Sequence, residues 1–580
     1  MLYPQSNTHR QVKDLSGFWD FQFDKKNEGR RKRWFKGLPQ ARPIAVPASW
    51  NEQLEDGKDN FGPAWYQTRF DLPVGFKSQR IFLRFDSVNY MADVWLNGVK
   101  LGSHEGGHLP FVFEITGKAL NPSNLLVVQV EGLLATDRVP PGNIEPFDPK
   151  DAFANSFFPA ASFDFFPYCG IQRPVLLYAV PASSIEDITI IPSIQGSKGL
   201  VRVEVKTPQM HSSVLRLTMT GYGQKIKKEI VHQGKSTAVV LEIPKARLWQ
   251  PGSAHLYDLK VELIQKGTPI DQISLPVGIR TIEVKKDKLL LNGKPIRLKG
   301  FGRHEDFPVI GRGYMPALII KDYELMSWIG ADSFRTSHYP YSDQMMDMAD
   351  RLGFLVIDET PAVGLFFRKE GLAKRLKLCR QYTEEMIRRD KNHPSVIAWS
   401  LANEPHSHRP AAAGFFKNLF QLAKRLDKSR PITLVSYIGV KEESFFDYDF
   451  VCLNRYSGWY TESGRLKDAF QKLSDELDAL HQKYKKPVLL SEFGADAIPG
   501  VHSNPAEMYS EEYQKEMIEG YLKVLSSKPY VAGAHVWNLC DFKTAQGAHR
   551  PAGINFKGVF TRDRRPKMAA HFLRKLWKKA

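Results

Sequence analysis

Cysteine is scarce in this 580-residue chain, long apolar runs are absent, and the start has no leader-like pattern; each of these excludes something. The four cysteines, Cys169, Cys379, Cys452 and Cys540, show neither CxxC nor any paired spacing. That argues against a disulfide scaffold and a cysteine-ligated metal, and leaves reduced core thiols. No apolar stretch approaches the roughly 18 residues of a membrane span, so no membrane partner is expected. The opening "MLYPQSNTHR" lacks the charged-then-apolar segment of a secretory leader, so a cytoplasmic chain is expected.

The chain does have 42% hydrophobic and 12% aromatic residues, the composition of a folded globular protein, and a length beyond what one core sustains. About three domains are expected. A formal charge of +18 invites anionic partners, and much of it sits in "KKNEGRRKRWFK" (25–36) and "LRKLWKKA" (573–580). No zinc-finger, helix-turn-helix or RRM signature accompanies these runs, so they read as solvated faces and nucleic acid is not an expected partner.

Residues 1–180 alternate apolar and polar with turn punctuation, as in "RIFLRFDSV" and "ADVWLNGVKLG", where Asn97-Gly98 predicts a tight hairpin. This pattern predicts a β-sandwich of the jelly-roll kind. Residues 181–276 form a second β-rich stretch of immunoglobulin-like length. Within it "HQGKST" imitates the end of a phosphate-binding loop, but the motif's first glycine falls on Glu229 in strand-like context, and the match is rejected. From 277 to 580 short apolar strands alternate with amphipathic helices. Strands are predicted at 297–302, 331–337, 354–359, 396–403, 432–436, 450–455, 487–493 and 531–538. Eight β-then-helix units over this length predict a (β/α)8 TIM barrel, whose active site lies at the C-terminal ends of its strands.

In that setting "SVIAWSLANEP" gains meaning: an apolar strand stops on Asn403-Glu404-Pro405, and an acid is costly to bury unless paired or used. "VLLSEFGAD" likewise puts Glu492 at the tip of the seventh strand. Two carboxyls across a cleft suit glycoside hydrolysis, one protonating the leaving oxygen and the other attacking or activating water. Other polar groups gather at the predicted rim: Arg335 and His338 in "RTSHYPY", Asn454, Tyr456 and Tyr460 in "NRYSGWY", and Trp537 in "VWNLCDF". Arg303, Asp358 and Glu359 read instead as satisfied core polar groups. His304, Glu305 and Asp306 are consecutive, point different ways and have no HExxH spacing, so no metal site is assigned and no cofactor is required.

With "WYQTRF", "FGRHED", "WIGADSFRTSHYPY", "VIDET", "RDKNHPSVIAWSLANEP", "CLNRYSGWY" and "SEFGAD", the chain resembles the β-glucuronidases of glycoside hydrolase family 2 from "LSGFWDFQFD" to "GVFTRDRRPK". The resemblance implies a jelly-roll sugar-binding-like domain, an immunoglobulin-like β-sandwich and a catalytic barrel, in a homo-oligomer, dimer or tetramer. It implies Glu404 as acid/base, Glu492 as nucleophile, Asn403 on the sugar's 2-hydroxyl and Tyr456 beside the nucleophile. Asp164 in "SFDFFPYCG" would reach the pocket from the first domain, and His338 and Trp537 would line the sugar site. The family's Asn-x-Lys signature falls on Asn555 and Lys557 in "RPAGINFKG"; with Tyr460 and Arg550 it would hold the uronate carboxylate. A carboxylate leaving water needs a cation and donors in exchange, which Lys557 and Asn555 supply.

Three departures stand out. The segment from "PAVG" to helical "GLAKRLKLCRQYTEEMIRRD" is short, predicting an open mouth without a cover loop. The Arg550–Asn555 spacing is one residue longer than in the pattern, and Ser457 replaces a frequent aromatic. The resulting expectation is a retaining, exo-acting β-glucuronidase acting on a small-molecule or oligosaccharide β-glucuronide. β-Galacturonidase or β-galactosidase activity remains the same-family alternative, and a non-catalytic sugar- or polyanion-binding relative the distant one.

Overall fold

The computed structural model describes residues 1–76, 78–119, 122–142, 157–161, 163–208 and 213–578, so the last two residues of the C-terminal basic run lie outside the described residues. The first 180 residues build two antiparallel sheets, one of four strands and one of six, packed face to face. Their inward positions supply one core, with Trp19, Phe21, Tyr66, Leu83, Phe85, Val94 and Val128 among its buried members. Strands Met91–Leu96 and Val99–Glu105 are joined by Asn97 (φ 52°) and Gly98 (φ 78°), the two left-handed residues that a primed hairpin turn requires.

A second pair of antiparallel sheets comes next, of three and four strands, from Asp187–Gln195 to Thr268–Gly278. Its strands alternate cleanly, so that Val201, Val203 and Val205 face Leu215, Leu217 and Met219 in a separate core. "HQGKST" is the turn between strands Gln224–His232 and Ser236–Ile243, with Gly234 at φ 94°.

The remainder closes into an eight-stranded parallel barrel. Its strands are β1 (Leu298–Gly302), β2 (Ser333–Arg335), β3 (Leu355–Glu359), β4 (Val396–Asn403), β5 (Ile432–Ser436), β6 (Val451–Asn454), β7 (Val488–Glu492) and β8 (Val531–Val536). They read as unbroken apolar runs because both faces are covered: every residue of β4 is buried. Around them lie α1 (Pro316–Ile329), α2 (Asp343–Leu352), α3 (Leu372–Asp390), α4 (Pro410–Leu426), α5 (Leu466–Tyr484), α6 (Glu511–Ser526) and α7 (Met568–Trp577). Helix α2 starts where Ser342 Oγ accepts the Met345 amide at 3.2 Å and stops at left-handed Gly353.

The regular alternation fails once. After β5 the described residues form two short 3₁₀ turns, Gly439–Lys441 and Glu443–Phe446, in place of a helix. Buried Glu442 pins them by accepting the Ser436 hydroxyl at 2.7 Å and the Ser444 amide at 3.1 Å. Among the described residues no helix is long and apolar enough to cross a membrane.

Candidate active site

Strand β4 delivers its acid with a distorted backbone. Asn403 is the last strand residue, its N–H donating to Ala362 O at 3.0 Å and its carbonyl accepting from Gly364 N at 3.0 Å. Glu404 then turns into the left-handed region (φ 47°), where its N–H reaches Val435 O on the neighbouring strand at 2.9 Å. Pro405, next in the chain, disfavours the right-handed helical conformation for Glu404, and the Glu404 side chain lines the barrel mouth. Strand β7 ends on Glu492, which a shift in register sets beside Asn454 of β6.

Both carboxyls line one cavity of about 480 Å³ at the C-terminal ends of the strands. Phe163, Asp164, His338, Asn403, Tyr456, Tyr460, Trp537 and Arg550 also line it. Asp164 arrives from the first sandwich on a loop wedged against the barrel rim, with Phe165 5.2 Å from the His304 ring and Arg312 5.3 Å over Phe165.

The two acids have different partners. Glu492 Oε1 accepts from the Arg335 guanidinium and Oε2 accepts from the Tyr456 hydroxyl at 2.7 Å. Glu404 Oε1 accepts only a neutral amide, Asn454 Nδ2, at 2.8 Å. Burial pushes Glu492 up to about 8; Arg335 opposes this, Glu404 adds to it, and Tyr456 opposes it. Burial also raises Glu404, against Asn454 and Arg335. Two acids in one enclosed site cannot easily both ionise, so the pair holds one proton between them. The rise at Glu492 includes repulsion from an ionised Glu404, which vanishes once Glu404 is neutral; Glu492 then has the stronger donors, Arg335 and Tyr456, so the proton is assigned to Glu404 against the higher value at Glu492.

Behind Glu492 lies a buried ion-pair network. Arg335, fully buried, donates to both oxygens of Glu359 at 2.7 Å and to Asn403 Oδ1 at 3.3 Å while it grips Glu492. Burial alone would lift Glu359, but Arg335 and His338 hold it below the usual carboxylate range. Burial keeps His338 below its ordinary value despite Glu359, so its ring is neutral; it bonds Glu359 through Nδ1 at 2.8 Å and stacks on Trp537 at 4.9 Å.

At the other side of the cavity is a second cluster. Lys557 Nζ, on a residue 1% exposed, donates to Tyr460 Oη at 3.0 Å and pairs with Asp496. Arg550 donates to Asp164 at 2.5 Å and to Tyr460 Oη at 2.9 Å, and Asn555 Nδ2 donates to Asp164 Oδ2 at 2.7 Å. Burial would raise Asp164, yet Arg550 and Lys557 hold it well below its usual range. Between Arg550 and Asn555 the chain makes a turn in which Ala552 and Gly553 are both left-handed, and Arg550 reaches the cluster.

Of the eleven residues that the resemblance assigns to the site, nine line this cavity, and Asn555 and Lys557 lie buried behind it, bonded to Asp164 and Tyr460. Asp496 has no counterpart among them: fully buried, it accepts the Phe556 amide at 2.8 Å and orders the Asn555–Lys557 segment. Its only signal in the sequence is a place at the end of "SEFGAD". Glu359 is the core polar group that the sequence suggests, but through Arg335 it also fixes Glu492. Arg303 is a core group but not a fully satisfied one: Nη2 pairs with Asp322 and the guanidinium lies 4.7 Å from the Tyr341 ring, while buried Nε and Nη1 have no hydrogen-bond partner among the described residues. Asp358 accepts the Thr336 hydroxyl at 3.0 Å.

His304, Glu305 and Asp306 go to separate partners: Tyr339, Arg173 and Arg562. Among the described residues the one His/acid cluster compact enough for a cation is Asp347, Asp350 and His393, at the opposite end of the barrel. There Asp350 already binds His393 Nδ1 at 2.6 Å and the Ser395 amide at 2.9 Å.

Comparison with known proteins covers the chain from end to end. Family models for glycosyl hydrolases family 2 match residues 12–181 (sugar binding domain), 183–280 and 282–580 (TIM barrel domain). A beta-glucuronidase of Paenibacillus borealis is 39% identical over all of this chain and 98% of its own, and that of Homo sapiens 38% over all of this chain and 92% of its own. Among solved structures, a beta-glucuronidase of an uncultured Clostridium sp. superimposes with a TM-score of 0.93 at 40% identity, covering all of both chains. The Ruminococcus gnavus beta-glucuronidase in complex with D-glucuronic acid superimposes with a TM-score of 0.92 at 38% identity, covering 99% of each chain.

Proposed function

From the premise that the chain belongs to glycosyl hydrolases family 2, we propose that it is a retaining, exo-acting β-glucuronidase, cleaving β-D-glucuronides to glucuronate and an aglycone. The observation that carries the reading is one cavity lined both by the acid pair at the tips of β4 and β7 and by Arg550 and Tyr460, with the buried Lys557 ammonium directly behind Tyr460 Oη at 3.0 Å, a cation cluster suited to a carboxylate.

In this mechanism the uronate carboxylate lies against Lys557, Asn555, Arg550 and Tyr460, which fixes the ring over Trp537 and His338 with Asn403 at the 2-hydroxyl and Asp164 at the far edge. Glu492, ionised by Arg335 and Tyr456, attacks the anomeric carbon as Glu404 gives its proton to the glycosidic oxygen. The aglycone leaves a glycosyl-enzyme ester. Glu404, now a carboxylate, takes a proton from water, which displaces Glu492 and restores the β-configuration. The Asn555–Lys557 cluster disfavours neutral sugars, because an unmatched Lys557 would face the uncharged C6 group. Val363, Gly364, His406 and Tyr437 form the outer wall of the cavity, where the short segment before α3 leaves room for a bulky or saccharide aglycone.

Release of 4-nitrophenol from its β-glucuronide, β-galacturonide and β-galactoside tests the reading. Turnover of the first alone supports it; galactoside turnover alone, or none of the three, sinks it. Proton NMR of the first-formed sugar adds the stereochemistry, since an α-anomer would rule out retention. The same reading extends to a cytoplasmic homo-oligomer, dimer or tetramer. Its four cysteines are unpaired and buried, as suits a reducing compartment, and sedimentation velocity measures the assembly.

A further inference from the structure

Residues 25–36 connect strand Gly17–Phe23 to the edge strand Arg42–Val46 of the six-stranded sheet and carry seven cations against one acid, Glu28. All seven are exposed. The backbone beneath them is nonetheless pinned. Buried Asp24 accepts the amides of Glu28 at 2.8 Å and Gly29 at 2.9 Å, and the Trp65 indole N–H at 3.0 Å. Gly29 is seated so closely that a Cβ would fall 2.6 Å from Trp65 Nε1. Trp34 packs edge-on against Trp65, and Phe35 stacks on Trp95 at 5.8 Å.

Arg30 pairs with Asp93, while Arg31 and Lys32 share Glu28. Among the described residues no acid lies within ion-pair distance of Lys25, Lys26, Arg33 or Lys36. Lys25, Lys26 and Lys32 stand on the wall of a depression of about 620 Å³ with Gln22, Gln40 and Trp34; two carboxylates also line it, Asp24, which accepts two backbone amides and the Trp65 indole, and Glu28, which Arg31 and Lys32 neutralise. Like charges held together on an ordered scaffold repel one another, and an anionic ligand would relieve that repulsion.

We propose that this depression is a second carbohydrate subsite, which binds the carboxylate- or sulfate-bearing stretch of an acidic polysaccharide. The proposal rests on the glucuronidase reading only in that the end of such a chain is a uronate the barrel can remove. Lysine ammoniums are point charges that suit anionic groups spaced along a flexible chain. A single-stranded nucleic acid would need exposed aromatic faces for its bases, and Trp34 and Phe35 are turned inward against Trp65 and Trp95.

The test is the full-length protein carrying Lys25→Glu, Lys26→Glu, Arg33→Glu and Lys36→Glu together, compared with the native chain on immobilised heparin and in turnover. At low salt the fourfold variant loses heparin retention, and its KM for a long, sulfated, glucuronate-terminated oligosaccharide rises about tenfold, an effect that added salt erases. Its KM for 4-nitrophenyl β-D-glucuronide stays within roughly twofold, because the barrel is untouched. Unchanged retention, or single-stranded DNA competing as well as heparin, overturns the proposal. If the fourfold variant fails to fold, Lys25→Gln with Lys26→Gln serves, with about half the shift in retention expected. Retention is read on native and variant protein whether or not the aryl glucuronide is cleaved, so failure of the barrel reading and failure of the subsite are told apart.

Discussion

Replacing Lys557 with methionine keeps an unbranched apolar stem and removes the ammonium, whose Nζ lies 4.9 Å from the Tyr460 ring and 5.2 Å from that of Trp459. A glucuronide carboxylate bound there would lose its buried counter-charge, a loss of about 2–5 kcal/mol. At about 1.4 kcal/mol per decade that is a fall in kcat/KM of roughly thirty- to several-thousand-fold. The corresponding β-glucoside has no carboxylate to pair, so its weak turnover should hold or rise. The geometry adds one complication. Without Lys557, fully buried Asp496 keeps only the Phe556 amide at 2.8 Å and Arg550 at 3.8 Å, and its uncompensated charge would itself repel a uronate. The double variant Lys557→Met/Asp496→Asn removes that repulsion and should recover part of the glucuronide loss without changing the glucoside. Stopped assays on the two 4-nitrophenyl glycosides, with melting curves to confirm folding, provide the measurement. Proportional losses on both substrates would mean that Lys557 supports the fold or the acid pair, and the reasoning would fail.

Glu492→Gln should cost several orders of magnitude in kcat on every substrate, whereas Glu404→Gln should damage substrates with poor leaving groups far more than activated aryl ones; equal damage from both variants would reverse or refute the assignment. The pH profile of kcat/KM should be a bell, falling in acid as Glu492 is protonated and in alkali as Glu404 loses its proton. Because Glu404 is neutral in the active form, Glu404→Gln should abolish the alkaline limb and leave the acid limb in place, a result a titration of the variant on an activated substrate can contradict. Stability has its own pH dependence: burial disfavours charge on His393, but Asp350 and Asp390 override it and push the imidazole up to about 10. Its contribution is full below the ordinary value near 6.5 and is lost as pH rises toward 10, so the Tm drop over that window should shrink in His393→Gln.

The barrel strands are legible in the sequence because burial on both faces writes a strand as an unbroken apolar run, and β4, β5 and β8 begin where those runs begin. The acid pair is legible because each carboxyl interrupts such a run at its tip. The stretch after β5 is not, since two 3₁₀ turns pinned by a buried glutamate leave no periodicity to count. Asp496 and Glu359 escape for a different reason. Their importance lies in the partner each holds, Lys557 in one case and Arg335 in the other, and partners far apart in sequence meet only once the barrel closes. Arg335 is visible as a rim residue; its simultaneous grip on Glu359 and Glu492 is not.

The left-handed backbone at Glu404 also bears on how this scaffold would change over generations. A glutamate held at φ 47° costs on the order of 1–3 kcal/mol that glycine would not incur and asparagine would largely avoid. Once selection for hydrolysis lapses, the substitution most damaging to proton donation is therefore among the more favourable for folding. Descendants that keep the barrel for binding alone should lose this acid early, with glycine or asparagine in its place, while Glu492, on extended strand backbone with its charge matched by Arg335, persists longer.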